Sequence, residues 1–254
     1  MTTHALSPAG RDTLARFVAR KPLFTFDIDG TLAPIVARPE TARIPDALQD
    51  ALRGLCEVAP VAVLTGRGSD DARRMLAFEP RYVLGNHGME GLPGWEARTR
   101  AMVKVSMAWR DAIASSTDPA LAEAGIVLED KRYSLSLHYR HAPDHELAER
   151  VIRRLIASLA PPPKVIPGKC VVNVLPPGAP TKGDSLRELL LEHVPSGCAV
   201  YAGDDDTDEH VFDLPADLVL GVRVGLREDS GAALYVDDPA EMLLLTRFLV
   251  ELST

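Results

Sequence analysis

The stretch Leu23-Phe24-Thr25-Phe26-Asp27-Ile28-Asp29-Gly30-Thr31-Leu32 places two carboxylates directly after a short, mainly apolar run. A run of this kind that ends in polar residues is typical of a buried parallel strand. Side chains alternate along a strand, so Asp27 and Asp29 share one face if the strand continues, whereas Gly30 equally favours a turn here. In either case the two acids lie at the carboxyl end of a strand, where open α/β sheets bind their ligands.

Similar apolar runs and helical patterns alternate along much of the remaining chain. Further strands are predicted at 61–64, 82–84, 199–202 and 218–224, and helices at 45–58, 69–77, 181–193 and 239–252. Strands that alternate with helices in this way form parallel sheets with helices on both faces. The sequence therefore predicts an α/β protein with a doubly wound, mainly parallel sheet, which is a Rossmann-type core.

The middle of the chain has a different pattern. Apolar and polar residues alternate strictly over 133–140, as in a half-buried strand of an antiparallel sheet. Its odd positions are expected to face a core, and Ser134, Ser136, His138 and Arg140 to line the other face. A helix is predicted at about 144–159 and a second strand at 169–175, with proline-rich boundaries at 161–163 and 176–180. We expect a core of residues 1–99 and 177–254 and an inserted α+β domain of residues 100–176.

Composition excludes several classes of partner. The chain has 254 residues, of which 46% are hydrophobic, so it can bury a sizeable core. A formal net charge of −8 disfavours binding to nucleic acid or to an anionic membrane surface. Cys56, Cys170 and Cys198 lack the spacing of a metal site, and no signal peptide or long apolar stretch is evident. These features predict a cytoplasmic protein with reduced cysteines, and they leave its oligomeric state open.

Four polar clusters fall at predicted strand ends or helix starts. They are Asp27 with Asp29 and Thr31, then Thr65-Gly66-Arg67, then Thr181-Lys182-Gly183, and finally the segment 203–209 with five acids in seven positions. A hydroxyl and free backbone N–H groups at a helix start suit an anion, and Lys182 can offer a positive charge to a phosphate. On one sheet, these clusters are expected to converge.

Crowded carboxylates raise each other's pKa unless a divalent cation offsets their charge. Mg²⁺ is the natural candidate because it prefers oxygen ligands and is usually held by one or two carboxylates together with substrate phosphate. Acids, a metal ion, a hydroxyl and a lysine are the groups that phosphoryl transfer requires. A carboxylate can also act as the nucleophile and form an aspartyl-phosphate.

Each cluster alone has a plainer explanation. An isolated pair of aspartates is often a solvated turn, Thr181 can be a helix cap, and the acids after Gly203 can form the first turn of a helix. Four unrelated polar clusters would not be expected by chance to occur in this order, each at a strand end or helix start. The combination therefore favours a functional site.

These motifs resemble those of the haloacid dehalogenase superfamily of phosphatases over nearly the whole chain, with Asp27 to Thr31, Thr65, Lys182 and the segment 203–209 in the four motif positions. The resemblance implies that Asp27 is the nucleophile and Asp29 the general acid and base. It also implies that Mg²⁺ is bound by Asp27, the backbone carbonyl of Asp29 and Asp204, with Asp208 close behind. Thr65 and Lys182 would hold the phosphate.

Other segments are most similar to the trehalose-6-phosphate phosphatases of this superfamily, namely 85–90, 129–131, 138–140 and 168–169. In that family the inserted domain acts as a lid over a sugar phosphate. The substrate-binding residues that the resemblance and the motifs suggest are Thr31, Gly66, Arg67, His87, Glu90, Glu129, Lys131, His138, Arg140, Lys169 and Asn173. For His87, Glu129, Lys131 and His138, a purely structural role is the alternative.

One position departs from the family pattern. Asn173 and Leu175 stand where the family usually has a glutamate and a basic residue. Asparagine offers one acceptor oxygen and no charge, so the substrate could be another sugar phosphate, of sucrose or glucosyl type. A phospho-accepting signalling domain is a further alternative, but such domains are about half this length and lack an inserted lid.

Overall fold

The computed structural model describes residues 2–36, 38–115, 120–168 and 170–254. The chain forms two compact units, one of residues 1–93 and 180–254 and the other of residues 94–179. The limits of 100 and 176 that the sequence suggests for the insert lie a few residues inside those of the second unit. Within the described residues, no helix has both the length and the apolar character that a membrane crossing requires.

The strands in chain order are β1 Thr3–His4, β2 Leu23–Phe26, β3 Val61–Leu64, β4 Tyr82–Leu84, β5 Val127–Asp130, β6 Leu135–His138, β7 Lys164–Gly168, β8 Val171–Leu175, β9 Ala199–Gly203, β10 Val219–Val224 and β11 Leu234–Val236. The α-helices are α1 Pro8–Val18, α2 Asp46–Val58, α3 Ser69–Met75, α4 Glu96–Ser115, α5 Ala120–Glu123, α6 His145–Ser158, α7 Lys182–His193, α8 Asp206–Phe212 and α9 Met242–Ser253.

The first unit is built on a seven-stranded sheet with the order β1-β11-β10-β9-β2-β3-β4. All its neighbouring strands pair in parallel. All four residues of β2 are buried, as are all those of β3 and β9, because helices cover both faces of a sheet of this kind. The predicted doubly wound α/β core is therefore confirmed.

One apolar cluster of the first unit joins two of its helices to the sheet. Leu52 and Leu55 of α2 and Leu245 and Leu249 of α9 belong to the same buried cluster as Phe24 of β2. The two helices also contact each other directly. This packing fixes β2 in the middle of the sheet and so determines where its carboxyl end lies.

The second unit is α+β, as the alternating pattern predicts. Its antiparallel sheet has the order β5-β6-β8-β7, and α4 and α6 contribute to its apolar clusters. Trp109 of α4 is almost fully buried, and its indole N–H donates to the carbonyl of Ala160 over 3.2 Å.

Three details of the second unit differ from the sequence-based expectation. The strand predicted over 133–140 is only Leu135–His138, because the chain turns at Arg132, which has a φ of 69°. Ser134 and Ser136 are buried, whereas a half-buried strand predicts that they are exposed, and Ser136 donates to Asn173, its partner in register on β8. The strand predicted at 169–175 is the second half of a hairpin whose first half is β7.

The long helix α4 was not predicted, although its sequence carries a helical pattern. Met102, Ser106, Trp109 and Ile113 are its buried residues, with spacings of four, three and four. A serine and several small residues weaken the contrast between the two faces, so the apolar stripe is less obvious than in α2 or α6.

The packing of α9 yields a prediction with a control on the same helix. Leu245→Ala removes a fully buried side chain and leaves a cavity, so we expect it to lower the stability of the first unit by about 2–5 kcal/mol. Leu244 is 53% exposed, and Leu244→Ala should change stability by no more than about 0.5 kcal/mol. Denaturant titration followed by circular dichroism measures both, and equal losses would contradict the assignment of Leu245 to the core.

Candidate active site

The carboxyl ends of three adjacent strands and the start of one helix meet at one edge of the first unit. The strand order places β2 between β9 and β3, so the residues that follow these strands become neighbours. A cavity of about 370 Å³ lies there. Its lining comprises Asp27, Asp29, Ile35, Thr65, Gly66, His87, Lys182, Asp204, Asp205 and Thr207.

The chain turns immediately after β2. The backbone N–H of Asp27 still donates to Ala202 on β9, over 2.9 Å, but the carbonyl of Ile28 accepts from the N–H groups of Leu32 and Ala33. Of the two possibilities left open by the sequence, the turn is therefore correct. Asp27 is buried at 5% exposure, whereas the side chain of Asp29 is 41% exposed.

Lys182, at the start of α7, connects two buried carboxylates. Its Nζ lies 3.0 Å from Oδ2 of Asp27 and 2.7 Å from Oδ1 of Asp208. Burial alone would lower the pKa of Lys182, but the two carboxylates outweigh burial and raise it. A capping box formed by Thr181 and Asp184 fixes the first turn of α7 and hence the origin of this side chain. The alternative that Thr181 is a helix cap is thus correct.

The acids of the site are poorly compensated without a cation. Burial raises the pKa of Asp27 to about 7, an effect that Lys182 opposes and Asp208 reinforces. Burial also raises the pKa of Asp204 to about 6, again with a contribution from Asp208. Oδ1 of Asp27 is buried without a hydrogen-bond partner among the described residues. A cation beside these oxygens would satisfy the unpaired atom and lower both pKa values.

Asp208 is an anchor for the site. Its Oδ1 accepts from Lys182 and from the hydroxyl of Tyr201, and its Oδ2 accepts from the backbone N–H groups of Asp204 and Asp205, each over 2.9 Å. Both oxygens are therefore already used to position neighbouring groups. The geometry agrees with a place for Asp208 behind the direct ligands of a cation.

Asp204 has a more open carboxylate. Its Oδ1 accepts from Oγ1 of Thr31 over 3.1 Å, so Thr31, which the sequence suggests as a substrate contact, orients Asp204 in this structure. Asp27, Asp204 and Asp208 offer oxygen atoms that all lie within 4.8 Å of one another. Hard carboxylate oxygens in such an arrangement suit Mg²⁺.

Arg67 forms a bidentate ion pair with Asp29. Its Nε and Nη2 donate to the two carboxylate oxygens of Asp29 over 2.6 and 2.7 Å, and its Nη1 donates to Asp71 over 2.8 Å. The hydrogen bonds to Asp29 are the main cause of a raised pKa of Arg67. Here Arg67 thus orients Asp29, and its predicted role in substrate binding remains a prediction.

The segment 85–90 forms a tight turn beside Thr65. Thr65 accepts from the backbone N–H of Arg67 through Oγ1 and from the N–H of His87 through its carbonyl. A Cβ on Gly66 would lie 2.7 Å from Cε1 of His87, so a larger residue here would displace the imidazole. Oε2 of Glu90 accepts from the N–H of Ser69 and from the amide of Asn86, which braces the turn.

In the second unit, the polar candidates are partly engaged with each other. Oε2 of Glu129 bonds Nε2 of His138 over 2.8 Å and lies 3.7 Å from Nζ of Lys131, with all three side chains more than 40% exposed. Arg140 is exposed, and Lys169 lies outside the described residues.

Asn173 is used inside the sheet of the second unit. Its Oδ1 accepts from Ser136 on β6 over 2.7 Å, and its Nδ2 donates to the carbonyl of Ile166 on β7 over 3.4 Å. Asn173 therefore joins three strands, which is a structural role that its sequence position did not reveal.

Tyr201 and Arg223 belong to the site region but were not among the residues that the sequence motifs suggest. Both are buried polar residues in otherwise apolar strands. Arg223 donates to a carbonyl of the acidic loop after β9 (residues 204–205), and Tyr201 donates to Asp208, which accepts from the N–H groups of that loop. A polar residue within a buried strand is a usable signal, because burial of an unpaired polar group is costly.

The close contact between Gly30 and Asp204 gives a test of the site. A Cβ on Gly30 would lie 2.0 Å from Oδ2 of Asp204, and Gly30 has a φ of +82°. We expect Gly30→Ala to displace Asp204 and to abolish Mg²⁺ binding measured by calorimetry. Gly197, with a φ of +62° and no atom within 4 Å of its Cβ position, is the control.

Both glycine variants carry the backbone strain of a positive φ, about 1–2 kcal/mol. Gly197→Ala should therefore lower the melting temperature while Mg²⁺ binding is retained. If the two variants bind Mg²⁺ equally well, the contact between residue 30 and Asp204 has no role in the cation site.

Comparison with known proteins places the chain in a family. The model of the trehalose-phosphatase family matches residues 25–229. A trehalose-phosphate phosphatase of Mycobacterium tuberculosis is 31% identical over 240 residues, which is 90% of this chain and 61% of that protein. An uncharacterized glycosyl hydrolase of the same species is 33% identical over 217 residues, which is 81% of this chain and 16% of that protein.

The chain thus spans less than two thirds of the length of these two relatives. Among solved structures, the trehalose-6-phosphate phosphatase of Aspergillus fumigatus is 25% identical, with a TM-score of 0.66 over 98% of this chain and 99% of that chain. The matched range includes the end of β2 and all of β3, α7, β9 and α8, which carry the site described above. The chain therefore belongs to the trehalose-phosphatase family.

Proposed function

We propose that this chain hydrolyses trehalose 6-phosphate to trehalose and phosphate with the help of Mg²⁺. The observation that carries the proposal is the buried carboxylate of Asp27, paired with Lys182 and lying beside Asp204, in a chain that belongs to the trehalose-phosphatase family. Phosphoryl transfer needs a nucleophile, a fixed positive charge and a cation-binding site.

Asp27, Asp204 and the backbone carbonyl of Asp29 would hold the Mg²⁺, with Asp208 behind them. The unpartnered Oδ1 of Asp27 supports this assignment. When bound, the ion neutralises negative charge on the phosphoryl oxygens. Lys182 favours the ionised form of Asp27, because it opposes the effect of burial on the pKa of that carboxyl, and the bound cation would favour that form further.

In the first proposed step, the Asp27 carboxylate attacks phosphorus, and the bond from phosphorus to the sugar oxygen breaks. Asp29 donates a proton to the departing oxygen. Arg67 orients that carboxyl through two hydrogen bonds, which favour its ionised form, so Asp29 has to take up a proton from solvent before this step. The phosphoryl group is then carried by Asp27.

In the second proposed step, Asp29 takes a proton from water, and the water oxygen attacks phosphorus. The bond between phosphorus and Asp27 breaks, which releases phosphate and restores both carboxyl groups. Thr65 and Lys182 would hold the phosphoryl oxygens during both steps. This use of one carboxyl first as acid and then as base follows from microscopic reversibility.

The sugar would be recognised by exposed polar groups of the second unit, which we propose as the lid. Glu129, Lys131 and His138 form one polar cluster there. The use of both polar atoms of Asn173 within the sheet favours a second candidate, another sugar phosphate of sucrose or glucosyl type. A small-molecule sugar phosphate as partner and a cytoplasmic location are parts of the same proposal.

The central test measures phosphate release from trehalose 6-phosphate, sucrose 6-phosphate, glucose 6-phosphate and an aryl phosphate, with Mg²⁺ and with a chelator. We expect trehalose 6-phosphate to be preferred and the chelator to stop turnover. Asp27→Asn should abolish turnover of every substrate, because it removes the nucleophile but keeps the shape.

Asp206→Asn is the matched control, because that side chain is 82% exposed and lies on the same edge of the sheet. It should keep near wild-type turnover. Preference for another sugar would select the second candidate, and turnover by Asp27→Asn would refute the assigned nucleophile.

Lys131→Ala tests the proposed role of the second unit. We expect a loss of about 10-fold or more in kcat/KM for trehalose 6-phosphate, because a buried sugar hydroxyl would lose its partner, and little loss for an aryl phosphate. Lys104→Ala, at an exposed position on α4, is the control. Equal losses on both substrates would argue against sugar recognition by Lys131.

A further inference from the structure

Arg223 lies buried beside the loop that carries Asp204. It belongs to β10, where it pairs in register with Gly203, the last residue of β9. The side chain is only 9% exposed. A buried arginine in a central strand requires partners that justify its desolvation, because an unpaired buried charge is strongly unfavourable.

The partners of Arg223 are the backbone carbonyls of the acidic loop. Its Nη2 donates to the carbonyl of Asp204 over 2.5 Å, and its Nη1 lies 3.4 Å from the carbonyl of Asp205. The same Nη1 donates to Oε1 of Glu209 over 2.6 Å. One planar guanidinium thus holds two consecutive peptide groups and one carboxylate.

Glu209 is itself fixed by further contacts. Its Oε2 accepts from the hydroxyl of Ser230 and from the backbone N–H of Gly231, over 3.2 and 2.9 Å. The carboxylate therefore links α8 to the segment that precedes β11 and holds Arg223 against the loop. Arg223 and Glu209 form a unit whose contacts converge on the backbone of residues 204 and 205.

The loop is held from the opposite direction by Asp208. Asp208 accepts from the N–H groups of Asp204 and Asp205, while Arg223 donates to their carbonyls. Both polar groups of these two residues' backbones are thus directed by buried charged side chains. Because the backbone of Asp204 is fixed on both sides, the direction in which its side chain points is restricted.

We propose that Arg223, held by Glu209, is a positioning residue that sets the Asp204 carboxylate for cation binding. The inference rests on the proposed Mg²⁺ site but not on the identity of the substrate. Arg223 would act through the loop backbone and would touch neither the cation nor the phosphate. Lysine cannot replace it, because one ammonium lacks the planar fork that reaches three acceptors at once.

Arg227 provides a matched control. It lies in the same region and binds the side chain of Asp206, the first residue of α8, together with that of Asp229. Its side chain is 36% exposed, and its bonds are to exposed carboxylates. Exposed ion pairs of this kind contribute little, so the loss of Arg227 should leave the Asp204 backbone in place.

The experiment compares wild type, Arg223→Lys, Arg223→Gln, Glu209→Gln and Arg227→Gln as full chains. Isothermal titration calorimetry with MgCl₂ measures Mg²⁺ affinity without any substrate. We expect Arg223→Lys and Arg223→Gln to weaken Mg²⁺ binding by about 10- to 100-fold, as is typical when a group that orients a metal ligand is lost. Arg227→Gln should match wild type.

A second measurement separates positioning from general damage. At saturating Mg²⁺, the KM for an aryl phosphate should stay within about threefold of wild type in the Arg223 variants, because the side chains proposed to hold the phosphate are unchanged. If Arg223→Gln does not fold, the Mg²⁺ affinity of Glu209→Gln tests the proposal instead. We expect this affinity to fall by about threefold or more, because the contact that holds Arg223 is weakened while Arg223 itself remains.

The proposal is overturned if the Arg223 variants bind Mg²⁺ with an affinity within twofold of that of Arg227→Gln. If Arg223→Gln does not fold, an unchanged Mg²⁺ affinity of Glu209→Gln overturns it. The proposed function fails separately. A wild type that binds Mg²⁺ but releases no phosphate from any sugar phosphate would refute that function, while a loss of Mg²⁺ affinity in the Arg223 variants would still support this inference.

Discussion

The burial of Lys182 between Asp27 and Asp208 is the interaction on which the site depends. Three charged groups leave water together, and the ammonium of Lys182 offsets the negative charge of both carboxylates. The ammonium fixes both Asp27, the proposed nucleophile just after β2, and Asp208, the anchor on α8. With Asp204 alongside, the cluster holds more negative than positive charge, which is the electrostatic reason for a divalent cation at this place.

Close approach of the backbone makes this charge cluster possible. A Cβ on Gly203 would lie 2.4 Å from Cγ of Asp208, and one on Gly183 would lie 2.0 Å from the carbonyl of His210. The start of α7 and the start of α8 can therefore come near enough for Lys182 to reach both acids. Glycine has a packing role at these positions, and the tight fit limits how far any charged group can move.

Sequence periodicity predicted the elements that lie in one continuous apolar environment. The strands at 23–26 and 61–64 have the predicted limits, because their residues are buried on both faces. Periodicity did not predict the burial of polar residues whose hydrogen-bond partners lie far away in the sequence. An example is Ser136, whose hydroxyl donates to Asn173. Arg223 was missed for the same reason, since its acceptors follow another strand.

The acidic segment after β9 illustrates why composition alone could not identify the ligands. Its five acids serve different purposes in the structure, namely Asp204 in the cation cluster, Asp205 as the cap of α8, Asp206 in an exposed ion pair, Asp208 as the buried anchor and Glu209 as the brace of Arg223. A first helical turn favours negative charge at all of these positions. Their different roles are decided by what faces each carboxylate, which is set by β10, α7 and the turn after β2. The carboxylates of Asp204 and Asp208 both lie near that of Asp27. Among the described residues, Asp204 accepts a side-chain hydrogen bond from Thr31 only, so it is the acid that is available to a cation.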